Sequence, residues 1–225
     1  MNVDLRSENG VMRRAVLSDQ VKEYVIEAIM NGEFQPGDRL VASLLARRLS
    51  VSQAPVREAI RDLVSLGFLE NEAFKGTSVR SFSPKELYEV YTVRAALESL
   101  AARLAAERLT EDDVQALQET LDEMIRAAQE QDVGQMVRLD NQFHKTILKI
   151  SDNELLYKLW QTLQFGYWTI VTARSSNYNL EELARRHETL LAALASRDPQ
   201  KAAVAMQHHI EDLGKPPENL EAGGD

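Results

Sequence analysis

The sequence predicts a mostly α-helical protein in which an N-terminal winged helix-turn-helix is followed by an all-helical bundle. In roughly the first 80 residues, three helix patterns separated by turns precede two short segments with strand character. After residue 81, every segment carries helix signals and no convincing strand pattern occurs. Residues 1–83 contain 11 basic and 11 acidic residues, whereas the remainder contains 15 and 24. We therefore expect two domains, residues 16–82 and 83–214, flanked by disordered tails at 1–15 and 215–225.

The first helix is expected to begin at Ser18, a residue type that caps helix starts. Apolar residues recur at helical spacing after it: Val21, Val25, Ile26 and Ile29. The stretch FQPGDRL that follows is a turn, because Pro36 fixes φ and Gly37 supplies the flexible position. A short second helix is expected at about 42–49.

The third helix is expected to start after Ser52, with Pro55 in the first turn, where a missing N–H costs nothing. Gly67 ends it. Its buried stripe is Val56, Ile60, Leu63 and Val64. The segment FLENEAFKGTSVRSF indicates two short strands around a loop with Lys75 and Gly76 at its tip. Three helices and a hairpin in this order make a winged helix-turn-helix.

Helix starts in the second domain are marked by capping patterns. These are Ser83-x-x-Glu86, Thr110-x-x-Asp113, Ser151-x-x-Glu154, Asn179-x-x-Glu182 and Asp198-Pro199. They predict a bundle of about six helices.

Composition excludes several kinds of site. The chain of 225 residues has no cysteine, which rules out disulfides, thiolate metal ligands and thiol nucleophiles. Because Asp4 and Glu8 stand near the N-terminus without an apolar stretch, a signal peptide is not expected. No run of about 18 apolar residues predicts a membrane span. We expect a cytoplasmic protein.

The third helix has the features of a DNA-recognition helix. In a helix-turn-helix, the second helix of the motif enters the major groove with its N-terminus first. Gln53 can pair with adenine, and Arg57 and Arg61 can reach guanine or phosphate. The full set of candidate DNA-contacting residues is Arg47, Ser52, Gln53, Arg57, Arg61, Lys75 and Gly76. The alternative is that the arginines only solvate an exposed face; the order of helices, turn and wing favours DNA binding.

Three of the four histidines lie at apolar-face positions. Asp140 and His144 are four residues apart and share one helix face, while His187 and His209 lie in the apolar stripes of two later helices. A buried carboxylate is costly without a partner, and a divalent cation is a natural one. One carboxylate with three imidazoles suits Zn, Ni, Co or Mn, with positions left for water or an anion. The alternative is that each histidine is a hydrogen-bonded core residue. His208 is expected at the surface.

Arg94 lies on an apolar helix stripe, which is an unusual place for a cation. It could pair with Glu98 at i,i+4 or hold the carboxylate of a bound ligand; the sequence favours neither. Arg174 is a weaker candidate for the same ligand. The aromatic group around it is interpreted as core: Trp160, Phe165, Tyr167 and Trp168.

The N-terminal domain resembles the DNA-binding domain of the GntR family of bacterial transcriptional regulators. The matching elements are a Gly-x-x-x-Pro-Gly turn beginning at Gly32, the stretches LARRLSVS and PVREAI, and Gly76-x-x-Val79. The resemblance covers about residues 18–80. The family usually has arginine at the position of Gln53, and an acidic residue near position 42 or 43 that this chain lacks.

The second domain resembles the effector-binding domain of the FadR/VanR-type, or FCD, branch of that family. The stretches that carry the resemblance are DNQFHKTIL, RRHETLLAALASRD and AMQHHIEDL. Many members of the branch bind a metal through an Asp-x-x-x-His on one helix and a histidine on each of two later helices. The resemblance implies that the metal ligands are Asp140, His144, His187 and His209. It also implies a small effector, such as a carboxylate or sugar acid, bound beside the metal.

The expected protein is therefore a homodimeric regulator, most readily a repressor, that binds a two-fold symmetric double-stranded DNA operator under control of a small metabolite. It is not expected to be an enzyme. The alternative is a metal-dependent hydrolase or lyase that uses the Asp/His cluster and carries an appended winged helix. An enzyme needs a general base besides its metal ligands, and no residue has that pattern here. A third possibility is a regulator whose metal is purely structural.

Overall fold

In the computed structural model, the described residues are 5–72, 76–81, 83–163, 169 and 179–214. The chain divides into two compact units, Met1–Ser81 and Phe82–Asp225. This division lies one residue from the boundary expected between residues 82 and 83. Within the described residues, none of the helices combines the length and the apolar character that crossing a membrane requires.

The first unit contains three helices and a small sheet. The helices are α1 (Leu5–Met30), α2 (Ala42–Arg48) and α3 (Gln53–Ser65), and the strands are β1 (Arg39–Leu40), β2 (Leu69–Glu72) and β3 (Gly76–Val79). The sheet is antiparallel with strand order β1-β3-β2. Arg39 lies opposite Ser78 and Leu69 opposite Val79. The β2–β3 hairpin is the predicted wing. Strand β1 was not predicted, because two residues are too few to show an alternating pattern.

The core of this unit forms where α1 packs on α3. Val25 of α1 and Val56, Ala59 and Leu63 of α3 are fully buried. Burial of a valine or leucine side chain stabilises the fold by roughly 1.5–3 kcal/mol, which fixes the face of α3 that points inward and therefore the face that points out.

Helix α1 begins earlier than predicted. It starts at Leu5, so residues 5–15 are helical where a disordered tail was expected. Ser18 lies in the middle of the helix and is buried, so it is not an N-cap. The segment from Leu5 to Ser18 contains no proline, and a serine does not end a helix when good helix formers precede it.

The second unit contains six helices within the described residues. They are α4 (Pro84–Ala106), α5 (Glu111–Gln129), α6 (Val133–Ile150), α7 (Glu154–Thr162), α8 (Leu180–Ala195) and α9 (Pro199–Gly214). Helix α4 packs along α9, and α5 packs against α6 and α8. Ala101, Ala102 and Ala105 of α4 are fully buried, and the Ser99 hydroxyl donates to the Ala203 carbonyl of α9 at 3.0 Å. Small side chains let these two helices approach closely.

The capping predictions are confirmed at four of five starts. Capping boxes join Ser83 to Glu86 and Thr110 to Asp113. Asn179 caps α8, and Asp198 accepts from the first backbone N–H groups of α9. The prediction was wrong at α7, where Asn153 is the N-cap. Ser151 instead ends α6 and donates its hydroxyl hydrogen to the Leu148 carbonyl at 2.6 Å. Ser151 still has helical backbone angles, φ −59° and ψ −19°, whereas Asn153 has the extended backbone that an N-cap requires.

Candidate DNA-binding face and metal centre

The outward face of α3 carries the residues expected to read DNA. Gln53, Arg57 and Arg61 follow one another at intervals of four and are all exposed. The Arg57 Nη2 atom donates to the Gln53 Oε1 atom at 2.6 Å. The two residues therefore form one hydrogen-bonded unit in the free protein, with the guanidinium held over the first turn. Ser52 occupies the N-cap position, but its side chain makes no capping hydrogen bond.

A second exposed group at the wing is the guanidinium of Arg39, which the sequence pattern did not indicate. Gly76 begins β3 with φ 87°, a conformation that favours glycine. A Cβ atom there would lie 3.2 Å from Nη2 and 3.3 Å from Nε of Arg39. The Arg39 guanidinium therefore lies against the wing at Gly76, and a larger residue there would push it aside by a few tenths of an ångström. Arg47 of α2 is also exposed, and Lys75 lies outside the described residues.

The structure brings the four predicted metal-ligand residues together. Asp140 and His144 come from α6, His187 from α8 and His209 from α9, and all four are buried. The His187 Nε2 atom lies 3.3 Å from His144 Nε2 and 3.2 Å from Asp140 Oδ1. His144 Nε2 lies 3.9 Å from Asp140 Oδ1. The three imidazoles offer one nitrogen each within 4.8 Å of the others. As predicted, His208 is exposed.

Hydrogen bonding determines which ring nitrogens point a lone pair into this cluster. The His187 Nδ1 atom lies 3.0 Å from the Ala184 carbonyl oxygen. Because a carbonyl only accepts, Nδ1 must carry the proton and Nε2 must be bare. The His144 Nδ1 atom lies 2.5 Å from Glu98 Oε2, although its angles are not those of a regular hydrogen bond. A carboxylate also only accepts, so this contact favours the tautomer of His144 that is protonated on Nδ1 and turns Nε2 toward the cluster. Nε2 of both histidines and an Asp140 oxygen thus converge on one point, from three side chains on two helices.

The charges around the cluster keep the ligands in their metal-binding forms. Burial lowers the pKa of His187, against an opposing contact with Asp140. Burial, followed by the neighbouring His187 and His144, lowers the pKa of His209 well below its ordinary value. Burial alone would raise the pKa of Asp140, but His187, His144 and Arg94 together hold it below its usual range. At neutral pH, His187 and His209 are therefore neutral imidazoles and Asp140 is a carboxylate anion.

Arg94 is buried and bonded in several directions. Its Nε atom donates to Glu98 Oε1 at 2.7 Å and its Nη1 atom donates to Thr169 Oγ1 at 2.9 Å. Its Nη2 atom lies 3.9 Å from Asp140 Oδ2. The i,i+4 pair with Glu98 that the sequence allowed is therefore present. Arg174 lies outside the described residues.

Glu98 connects Arg94 to the histidine cluster, whereas its sequence position indicated only a pair with Arg94. It is fully buried, and its Oε1 atom also accepts from Trp160 Nε1 at 2.8 Å. Burial raises its pKa, but Arg94 and His144 lower it to about 2. Its position four residues after Arg94 on the buried stripe of α4 was the signal available in the sequence. Trp160 is core, as expected; Phe165, Tyr167 and Trp168 lie outside the described residues.

A small cavity opens beside the cluster. Its walls are Met136, Asp140, Thr169, Leu183, Arg186, His187, His209 and Leu213. Its volume of about 10 Å³ corresponds to about one water molecule or ion. Arg186 is a second cation that the sequence analysis missed; its Nη2 atom donates to the His209 carbonyl at 2.7 Å.

Each of the two units matches a known protein family. The family described as "Bacterial regulatory proteins, gntR family" matches residues 17–79, and the FCD domain family matches residues 89–212. The FCD match alone covers more than half of the chain. A winged helix-turn-helix joined to an FCD domain defines a class of DNA-binding transcriptional regulators. The chain belongs to the GntR family of bacterial transcriptional regulators, as the resemblance in its sequence implied.

Individual relatives that align with this chain over most of their length are named as transcriptional regulators. The chain is 31% identical to a probable D-xylose utilization operon transcriptional repressor of Paenarthrobacter nicotinovorans. The alignment of 199 residues covers 88% of each protein. It is 30% identical to the HTH-type transcriptional regulator McbR of Escherichia coli K12. That alignment of 212 residues covers 91% of this chain and 96% of McbR. The solved structure of E. coli McbR/YncC superposes with a TM-score of 0.71 and 28% identity, over 88% of this chain and 96% of that one. These relatives do not favour the alternative of a hydrolase or lyase.

Proposed function

We propose that this regulator is a homodimeric, cytoplasmic repressor that releases its operator when a small anionic metabolite binds beside a divalent metal in the second unit. The observation that carries the proposal is the convergence of one nitrogen each from His144, His187 and His209, all within 4.8 Å of one another, beside Asp140 Oδ1. A buried set of imidazole nitrogens around a carboxylate is the kind of donor group that a divalent cation holds together.

The donor set fits a divalent metal. Asp140, His144, His187 and His209 would supply one oxygen and three imidazole nitrogens, the combination that suits Zn, Ni, Co or Mn. Asp140 Oδ2 and His209 Nδ1 are buried without a hydrogen-bond partner among the described residues. When bound, the metal would supply a positive charge that compensates Asp140 and attracts an anionic ligand.

The surroundings of the cluster favour an anionic effector such as a carboxylate or sugar acid. Arg186 lines the cavity, and Arg94 Nη2 lies 3.9 Å from Oδ2 of Asp140, which also lines it. Arg94 and Arg174 remain the proposed effector-binding residues. Arg94 would have to exchange its bond to Thr169 for one to the ligand, because its Nε atom is already held by Glu98. The cavity has room for a single ion, so an effector must also shift the side chains that line it.

On the DNA side, the proposal assigns base or phosphate contacts to Gln53, Arg57 and Arg61, with Arg47, Ser52, Lys75 and Gly76 at the margins. One recognition helix per protomer suits a two-fold symmetric operator bound by a dimer. Repression is supported by the D-xylose relative, which is named a repressor. An effector can weaken DNA binding only if it has unequal affinity for the DNA-bound and free states, so effector and operator must weaken each other equally.

Two adjacent histidines provide the test. His209 is buried in the cluster, whereas His208 is exposed, so His208→Ala is a matched control for His209→Ala. We expect the wild type and His208→Ala to retain about one metal ion per chain by elemental analysis, and His209→Ala to lose it. A panel of small carboxylates and sugar acids should raise the melting temperature of the first two proteins only. If His209→Ala retains the metal, or if a metal-free variant still releases DNA with the same effector, the proposal is wrong.

A further inference from the structure

Glu98 divides its two carboxylate oxygens between different partners. The Oε1 atom accepts hydrogen bonds from Arg94 Nε and Trp160 Nε1. Among the described residues, the Oε2 atom forms an ion-pair contact with His144, at 2.5 Å from Nδ1, with angles outside those of a regular hydrogen bond. Glu98 lies on α4, whereas His144 lies on α6, so the contact also joins two helices of the bundle.

We propose that Glu98 is the positioning residue that fixes the tautomer and ring orientation of His144, so that the bare Nε2 atom of His144 faces the cluster. The proposal rests on the proposed metal site, where that nitrogen is used. A carboxylate that accepts from the outer nitrogen of a ligand histidine orients the ring and makes its other nitrogen a better ligand. His187 has a different support, because its Nδ1 atom is held by the Ala184 backbone carbonyl.

The arrangement around Glu98 keeps that carboxylate charged and immobile. Arg94 is itself buried, so its positive charge acts on Glu98 without a screening layer of water. Two donors on Oε1 prevent the carboxylate from rotating, which leaves Oε2 aimed at His144. Trp160 thus acts on the cluster through Glu98, whereas Arg94 acts both through Glu98 and by its own ion pair with Asp140.

Replacement of Glu98 by glutamine separates this role from packing. Glutamine has the same shape, and its single oxygen can accept from Arg94 and Trp160 as Oε1 does now. Its NH₂ group would then face His144 Nδ1. Because an amide NH₂ only donates, Nδ1 would have to become an acceptor, and the proton would move to Nε2. The nitrogen that faces His187 would no longer have a free lone pair.

The experiment measures the tautomer and the metal affinity independently. In the metal-free full-length protein at neutral pH, ¹⁵N NMR of the histidine rings should show His144 protonated on Nδ1 in the wild type and on Nε2 in Glu98→Gln. Titration with Co²⁺, followed by its visible absorption, should give an affinity 10- to 100-fold lower for Glu98→Gln. The matched control is Glu154→Gln, which changes an exposed glutamate paired with Lys158 and should leave both measurements as in the wild type.

The outcomes separate the two proposals. A wild type that binds no Co²⁺ would overturn the metal site, while the ¹⁵N spectra would still decide the role of Glu98. A wild-type His144 protonated on Nε2 would overturn the role of Glu98 even if the variant failed to fold. Unchanged Co²⁺ affinity in a folded Glu98→Gln would overturn it as well.

Discussion

Replacement of Arg57 by alanine should weaken operator binding without weakening the fold. Arg57 is exposed on the outward face of α3, and its only described hydrogen bond is the one to the Gln53 side chain. An exposed bond of this kind contributes little to folding, so the melting temperature should stay within about a degree of the wild type. A bidentate contact from arginine to a base contributes about 1–3 kcal/mol, which corresponds to roughly 5- to 150-fold in operator affinity.

The bond between Arg57 and Gln53 makes a second, sharper expectation. Since Gln53 Oε1 accepts from Arg57 Nη2 at 2.6 Å, each side chain holds the other in place at the start of the recognition helix. The losses from Gln53→Ala and Arg57→Ala should therefore not add. The loss of binding free energy in the double variant should differ from the sum of the two single losses by at least about 0.5 kcal/mol. Residue pairs in contact reach this coupling energy, whereas independent pairs do not.

Fluorescence anisotropy with a labelled operator, measured over several salt concentrations, distinguishes base reading from phosphate contact. If Arg57 binds a phosphate, its removal lowers the salt slope by about 1 and weakens all sequences alike. If it reads a base, preference at one operator position is relaxed. Arg108→Ala, an exposed arginine of the second unit, is the control and should change neither. Full additivity of Gln53→Ala and Arg57→Ala would refute the idea that the two residues act as a unit.

Three further predictions follow from the same structure. Zn²⁺ at about 100 times its Kd should stabilise the folded protein by about 2.7 kcal/mol, and denaturant titration should show no such gain in His209→Ala. The metal-free protein should lose stability as the pH falls below about 6.5. The pKa values of His187 and His209 are lowered in the folded state, so the unfolded chain takes up protons first as the pH falls. Equal melting temperatures at pH 7.5 and pH 5.5 would contradict this. Gly37→Ala and Gly76→Ala should each cost about 1–2 kcal/mol for a left-handed backbone. Only Gly76→Ala must also displace Arg39, because a Cβ at Gly37 meets nothing within 4 Å. Operator affinity should therefore fall further in Gly76→Ala than in Gly37→Ala. Equal losses in the two variants would exclude a role for Arg39 at the wing.

Local signals in the sequence determined most of the helices. A capping box needs only residues three apart, so the starts of α4 and α5 could be read from Ser83 and Thr110 without knowledge of the fold. Periodicity identified the buried faces, including those that carry His144, His187 and His209, because burial repeats along a helix with its own pitch. The start of α1 was missed because helix-forming residues before Ser18 continue the helix without a marked boundary.

Contacts between helices were decided only by the tertiary structure. Periodicity states that Glu98 and Trp160 face inward, but it does not state which atoms meet there. The convergence of Glu98 Oε2 on His144 Nδ1 depends on how α4 packs beside α6, over a separation of 46 positions in the chain. The same holds for β1, whose two residues become a strand only because β3 pairs with them. Hydrogen bonds have direction and short range, so the tautomer of His144 and the strand at Arg39 follow from the relative placement of distant segments, which residue spacing along one helix does not encode.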